Sequence, residues 1–289
     1  MAKKNKKHAS EVEISPDRFD EMRAALQKRV KASRYLHSMG VSQTAEQLAR
    51  IYGANENDAA VAGLLHDWDK SLTSKELKRK AKKLKLAKKS VRENATGVLH
   101  AWTAAATLKE VFPDLNDAVL SAISKHTCAA LDMSDLDMVV YVADIIEPGR
   151  DFPDIEGLRD AVGKVCLEEL FYRTYKANLL YLLSADMVVA PPSLDVYNAF
   201  SLAHAKREAE QAAALEEDAA QDAQSNDTAQ SADGMAEIVA EHQLREQLAA
   251  QANKQIELAQ QAARQRAAVR EQKRAEHLAF EEGQDQPQE

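Results

Sequence analysis

Strand-length runs of alternating apolar and polar residues are missing from this chain, while helix start and stop signals recur at short intervals. Glycine is scarce, 9 in 289 residues. The pattern predicts an all-α fold. Ser15-Pro16 followed by Asp17 marks a helix start with proline in its first turn. A helix over 32–51 ends at Gly53, and an apolar stretch over 57–70 reads as a buried central helix. Pro113 separates helices over 100–111 and 115–126. Ser134 with Asp137 forms a capped start for the next helix, and one long amphipathic helix is expected over 155–184.

Onto this pattern falls an economical set of histidines. Between residues 9 and 200 the only ones are His37, His66, His100 and His126. They sit in the strings Arg34-Tyr-Leu-His37-Ser, Gly63-Leu-Leu-His66-Asp67, Val98-Leu-His100 and Ser124-Lys-His126-Thr127. One such histidine alone is more often a satisfied core residue. Four in order with Asp67 and Asp144 read as metal ligands. Imidazoles with carboxylates suit Fe, Mn, Zn or Ni, whereas an all-oxygen cage suits Ca or Mg. Six protein ligands are too many for one catalytic metal that keeps an open position, and about right for two metals sharing a carboxylate. His66-Asp67 is the natural centre, because helical neighbours point about 100° apart and the carboxylate can bridge.

The order His37, His66-Asp67, His100, His126, Asp144 resembles the extended signature of HD-domain metal-dependent phosphohydrolases. Ala62-Gly-Leu-Leu-His66-Asp67-Trp-Asp-Lys70 and Tyr141-Val-Ala-Asp144-Ile-Ile-Glu147-Pro-Gly-Arg150 narrow it to the bacterial symmetrical diadenosine tetraphosphate hydrolases of the YqeK-like branch. The resemblance covers roughly residues 30 to 185. It implies that His37, His66 and Asp144 hold one metal, His100 and His126 the other, with Asp67 bridging. It further implies iron as the metal, with manganese, nickel or cobalt as alternatives, and cleavage of diadenosine tetraphosphate to two ADP. Asp67 and Lys70 are the expected catalytic pair. Arg34, His37, Asp67, Lys70, His100, Thr127 and Arg150 are the expected substrate contacts.

The cations have ordinary readings too. Lys70 lies one helical turn beyond His66 and Asp67, where it either meets a phosphate or is a solvated helix-end lysine. Pro148-Gly149 makes a turn that returns Arg150 towards the metals. The Thr127 hydroxyl serves either a phosphate or a helix end. Three departures from the family pattern bear on substrate preference. Cys128-Ala129-Ala130 replaces a glycine and a basic residue, and Trp102 stands in what is usually a small loop. Asp69 adds a carboxylate beside Lys70 that must be metal-bound, protonated or used as an acid to sit near polyphosphate.

Charge divides the chain. From Ser201 onward there are 9 Lys and Arg against 18 Asp and Glu, so the net −8 of the whole belongs to the tail. The expected organisation is a basic disordered N-terminus over 1–14, an HD domain over 15–200, and an acidic Ala/Gln/Glu-rich tail over 201–289 that is partly helical. The larger apolar residues of 235–280 keep no heptad, so a helix there is marginal or docks on an unknown partner. No apolar run approaches 18 residues and no signal-peptide core follows the basic start, so no membrane association is expected. Two cysteines fit a reduced, cytoplasmic protein. Residues 75–89 hold nine basic residues and one acid, which reads either as an anion-attracting surface or as the solvated face of a helix over the site mouth. Expected partners are thus the dinucleoside polyphosphate, with a homodimer allowed and nucleic acid not expected. The other functional readings are an HD-type phosphohydrolase of mononucleotides, or a non-enzymatic nucleic-acid- or ribosome-associated protein on an HD scaffold.

Overall fold

The computed structural model describes residues 14–225, with side chains to residue 215. The chain divides into two units, Met1–Ala214 and Leu215–Glu289, and the core and candidate site belong to the first. Residues 1–13 of the expected disordered N-terminus and the marginal helix over 235–280 lie outside the described residues, while Ile14 is buried and its backbone pairs with Asn57. Among the described residues every regular element is helical.

α1 (Pro16–Arg29) starts where Ser15 Oγ accepts the Arg18 N–H. α2 (Ala32–Tyr52) stops at Gly53, whose φ of +80° suits glycine best. α3 (Glu56–Leu65) is capped by Asn55 and lies at the centre: Ala59, Val61, Ala62, Leu64 and Leu65 are fully buried. A helix apolar on all sides must be surrounded by others, and each buried leucine contributes about 1.5–3 kcal/mol. Gly63 sets how closely α2 can approach, since a Cβ there would lie 2.9 Å from Ser42 Cα and Val41 O.

The helix expected over 57–70 is shorter than its pattern suggested. It ends at Leu65 with His66 as its cap, and the chain continues in tight turns, with Trp68 N–H on Leu65 O and Lys70 N–H on Asp67 O. Arg29 Nε–H holds the Trp68 carbonyl of this turn at 2.7 Å. His66, Asp67 and Lys70 therefore sit on a turn, not on one helix face.

The basic stretch becomes α4 (Ser74–Lys83), begun by a Thr73–Glu76 capping box, and the start of α5 (Lys89–Asn94). A single 3-10 turn over Thr96–Val98 leads into α6 (Leu99–Val111), followed by α7 (Asp117–Lys125) and α8 (Asp135–Ile146), the last with the expected Ser134–Asp137 capping box. The long helix expected over 155–184 is two, α9 (Ile155–Ala161) and α10 (Leu167–Ser184). Gly163 breaks it with φ +72°, its N–H donating to the Tyr52 hydroxyl. α11 (Pro191–Ser225) runs unbroken through residue 201. Val196 and Ser193 are buried, and the Tyr175 hydroxyl lies 3.0 Å from Ser193 O. Trp102 packs on a small satellite core of Leu77, Ala81, Val91 and Leu99, which is a structural role and not a platform for a base.

Candidate metal centre

α2, the turn after α3, α6, the end of α7 and α8 each bring one or two polar side chains to a single point. His37 comes from the second turn of α2, His66 and Asp67 from the turn, His100 from the start of α6, His126 from the cap of α7 and Asp144 from α8. His66, Asp67, His100 and His126 are buried. A buried polar cluster of this size needs every lone pair and proton matched.

One half of the matching is done by the backbone. Nδ1 of His66, His100 and His126 each lies 2.7 Å from the carbonyl three residues earlier, of Gly63, Gly97 and Ile123. Carbonyls only accept, so each Nδ1 carries the proton and each Nε2 presents a lone pair. His37 follows the same logic with a carboxylate, its Nδ1 3.0 Å from Glu147 Oε1. Four Nε2 lone pairs thus face two carboxylates, and His100 Nε2 stands 3.0 Å from His126 Nε2. Such acceptors repel one another unless a cation lies among them. His37 Nε2, His66 Nε2 and Asp67 Oδ1 are buried without a hydrogen-bond partner. This nitrogen and oxygen set suits a divalent transition metal.

Asp67 divides the cluster. Its Oδ2 lies 3.2 Å from His66 Nε2 and 3.8 Å from His37 Nε2, and its Oδ1 3.0 Å from His100 Nε2 and 3.8 Å from His126 Nε2. Asp144 Oδ1 lies with the first group, 3.0 Å from His37 Nε2 and 3.7 Å from His66 Nε2. Three overlapping groups, His37 with His66 and Asp67, His66 with His126 and Asp144, and Asp67 with His100 and His126, each have atoms close enough to hold one ion.

The electrostatics follow. Burial pushes against ionisation of Asp67, but His66, His100 and Lys70 outweigh it and hold the carboxyl well below the usual range. Burial opposes ionisation of Asp144 likewise, and His37, Arg150 and His66 overcome it. His126 is driven well below the ordinary imidazole value by burial and then by His66 and His100. Burial also lowers His100, against the pull of Asp67. For His66 burial again opposes the charge, yet Asp67 and Asp144 outweigh it and move it up.

The expected cations all reach the cluster. Arg34 Nη1 donates to Asp67 Oδ2 at 2.7 Å, and Arg150 Nη2 to Asp144 Oδ1 at 2.6 Å with Nε on the Asp144 carbonyl. Lys70 Nζ lies 3.3 Å from His100 Nε2 and 3.9 Å from Asp67 Oδ1. Arg34, Lys70, Thr127 and Arg150 line one cavity of about 410 Å3 over Asp67, His100, His126 and Asp144. The Thr127 hydroxyl lies 3.4 Å from Val98 O, a long contact.

Asp69 points elsewhere. It is fully buried and paired with Arg29 Nη2 at 2.8 Å and Lys80 Nζ at 2.5 Å. Burial would raise it, but Lys80, Thr103 and Arg29 keep it ionised. It is neither protonated nor near the cavity, so the electrostatic conflict expected beside Lys70 does not arise. None of residues 75–89 lines that cavity, so α4 does not cover its mouth; Lys80 is turned inward to Asp69 and Lys78 is paired with Glu93. Glu147 and Arg29 are the residues that sequence reasoning missed. Glu147 lay inside the Asp144–Arg150 string and had a signal, whereas Arg29 sits 40 residues from Asp69 and had none.

The HD domain family model matches residues 34–149. The chain is 32% identical over 165 residues to a symmetrical bis(5'-nucleosyl)-tetraphosphatase of Halalkalibacterium halodurans, covering 57% of this chain and 87% of that one. This chain belongs to the HD-domain hydrolase family that includes that enzyme. A tetraphosphatase of the same description from Staphylococcus aureus is 28% identical over 60% of the HD-domain chain and 90% of its own length. A crystal structure of a predicted HD superfamily hydrolase involved in NAD metabolism, from Clostridium acetobutylicum, superimposes with a TM-score of 0.59 at 27% identity. That match covers 63% of the HD-domain chain and 96% of the other. Among the described residues no helix is long and apolar enough to cross a membrane.

Proposed function

We propose that this HD-domain hydrolase cleaves dinucleoside polyphosphates, and diadenosine tetraphosphate into two ADP. One observation carries the reading: Asp67 turns one carboxylate oxygen to His37 and His66 and the other to His100 and His126. In this reading His37, His66 and Asp144 hold one cation, His100 and His126 a second, and Asp67 both. Iron is the metal implied by the family resemblance, with manganese, nickel or cobalt as alternatives. When bound, such cations polarise a phosphoryl oxygen and let water act as a nucleophile at neutral pH.

The chain's own residues do the rest. The backbone carbonyls and Glu147 take the Nδ1 side of the four imidazoles and direct each Nε2 inward. Lys70, Arg34 and Arg150 bind phosphates on either side of the scissile one and balance charge that develops there, and Thr127 turns its hydroxyl to the same chain. Holding phosphates on both sides favours a diphosphate leaving group, which is what symmetric cleavage requires. All these residues fall between positions 34 and 150, within the domain assigned to 15–200. Two free cysteines, Cys128 and Cys166, fit a cytoplasmic setting.

The test is metal analysis of anaerobically purified protein together with chromatography of the products from diadenosine tetraphosphate. ADP alone is expected. A mixture of AMP and ATP would refute symmetric cleavage. Inorganic phosphate from mononucleotides, with the dinucleotide untouched, would favour another HD-type activity.

A further inference from the structure

α4 separates two faces of opposite character. Leu77 and Ala81 are buried, and helical spacing sets Lys75, Arg79, Lys82 and Lys83 on the other side, within roughly 100° of arc. All four are exposed. Glu76, the one acid of residues 75–89, accepts the Thr73 N–H at 2.8 Å and the Thr73 hydroxyl at 2.7 Å. Lys78 is paired with Glu93 and Lys80 with Asp69. Among the described residues Lys75, Lys82, Lys83, Lys85, Lys88 and Lys89 are exposed and form no ion pair.

A helix face that only meets water mixes both signs of charge. Here Lys75–Arg79, Lys78–Lys82 and Arg79–Lys83 are like-charged neighbours one turn apart, and each pair is repulsive. Three further lysines stand where helix ends favour other residues. Lys85 has φ +55°, the left-handed conformation usually given to glycine, with the Leu86 N–H closing onto Ala81 O. Lys88 caps α5 without a side-chain bond. Lys89 opens the first turn of α5, where the helix dipole disfavours a cation and no acid offsets it. Local stability does not account for this run of charge, whereas an anionic partner does.

The chemistry of the face narrows the partner. It lies outside the cavity over the metal centre, which none of residues 75–89 lines. Residues 75–92 contain no aromatic side chain, so the bases of a single strand find no ring to stack on. Leu77, Ala81 and Val91 are turned into the satellite core, which leaves little apolar surface to enter a lipid headgroup layer. A double helix asks for neither. It presents one charge per about 1.7 Å of axis, and ammonium groups meet its phosphates as point charges. The net −8 of the chain belongs to the tail from Ser201, so the domain carrying this face does not repel such a partner by its net charge. We propose that the exposed lysines of α4 and of its junction with α5 dock double-stranded nucleic acid through its phosphates, without regard to sequence. The proposal does not use the dinucleotide hydrolase reading.

Fluorescence anisotropy of the full-length chain with a short labelled RNA duplex, titrated between about 50 and 200 mM salt, tests it. The triple variant Lys82→Gln, Lys83→Gln, Lys85→Gln is expected to bind about 10-fold or more weakly at the lower salt, with a salt slope smaller by about 2–3. A charge-matched control, Lys28→Gln, Lys164→Gln, Lys176→Gln, removes three exposed lysines outside α4 and α5 and should stay within about twofold of the parent. Both variants should melt with the parent, because the side chains replaced make no hydrogen bond or ion pair among the described residues, and both should keep dinucleotide hydrolysis within about twofold. Absence of duplex binding by the parent would overturn the proposal, as would equal affinity in the two triple variants. So would tighter binding of single-stranded RNA, or of phosphatidylserine vesicles, than of the duplex. A loss of kcat/KM for the dinucleotide in the Lys82–Lys83–Lys85 variant, with no duplex bound by the parent, would assign the face to attracting substrate instead.

Discussion

Glu147 reaches His37 because position 40 is glycine. A Cβ on Gly40 would lie 2.6 Å from Glu147 Oε2, while Oε1 of the same carboxylate holds His37 Nδ1 at 3.0 Å. The Gly149 N–H donates to Oε2 at 2.6 Å and fixes the other side. A residue outside the ligand set thus decides which way His37 points.

Gly40→Ala should separate stability from metal binding. The clash is with the end of a side chain, and alanine favours a helix interior over glycine by about 1 kcal/mol, so the melting temperature should hold or rise. The displaced carboxylate no longer orients His37, and metal affinity and turnover should fall roughly 10- to 100-fold. Unchanged metal content in a folded Gly40→Ala protein would show that Glu147 has no orienting role.

Asp67 and His100 should differ in what their loss removes. Asp67→Ala is expected to strip most of the metal, because two of the three groups of donors include it and it faces imidazoles with both oxygens. His100→Ala should lower the content to about half, emptying the His100–His126 side alone. Metal per chain, read by elemental analysis, decides this; full metal and full turnover in Asp67→Ala would end the bridging assignment.

Asp69 should make stability depend on acid. Asn at this position leaves Arg29 and Lys80 without their buried counter-charge. Both are partly solvated, at 34% and 26% exposed, so the cost should be roughly 1–3 kcal/mol and not the full buried-pair penalty. The folded carboxyl is depressed. Its contribution is therefore complete above the unfolded carboxylate value near about pH 4 and is lost as pH falls through the folded value. Urea unfolding of parent and Asp69→Asn should show their largest gap at pH 7 and a shrinking one below about pH 4. A gap that does not change with pH would assign the effect to packing.

The tail should be dispensable only beyond the first unit. Truncation after Ala214 is expected to leave hydrolysis within a few-fold of the full chain, because every candidate ligand lies before Arg150. Truncation at Ala190 should destabilise the protein, since it removes buried Val196 and the Ser193 carbonyl that faces Tyr175. Thermal melts and product release on both variants check the boundary.

Much of the fold was legible because its signals are local. Ser15, Gly53 and the Ser134–Asp137 pair mark helix ends through contacts spanning a few residues, and those ends stand where they were read. The break at Gly163 was also written in the chain, yet the apolar periodicity of 155–184 outweighed a lone glycine whose left-handed conformation depends on its neighbours.

The histidines and aspartates announced a metal-binding chemistry by their identity and order alone, since few residue types bind such ions and these occur nowhere else in the domain in that company. What the tertiary structure decided was direction. Whether Asp69 faces phosphate or a pair of structural cations depends on Arg29 and Lys80, which approach from other helices. The same Arg29 also holds the Trp68 carbonyl in the turn after α3, a contact that joins residues 39 apart in the chain. Which oxygen of Asp67 meets which imidazole depends on how α2, α6 and α7 pack around α3. Ligand chemistry is a property of residue types and is written in one dimension. The aim of a side chain is set by contacts between segments distant in the chain, and those exist only once it has folded.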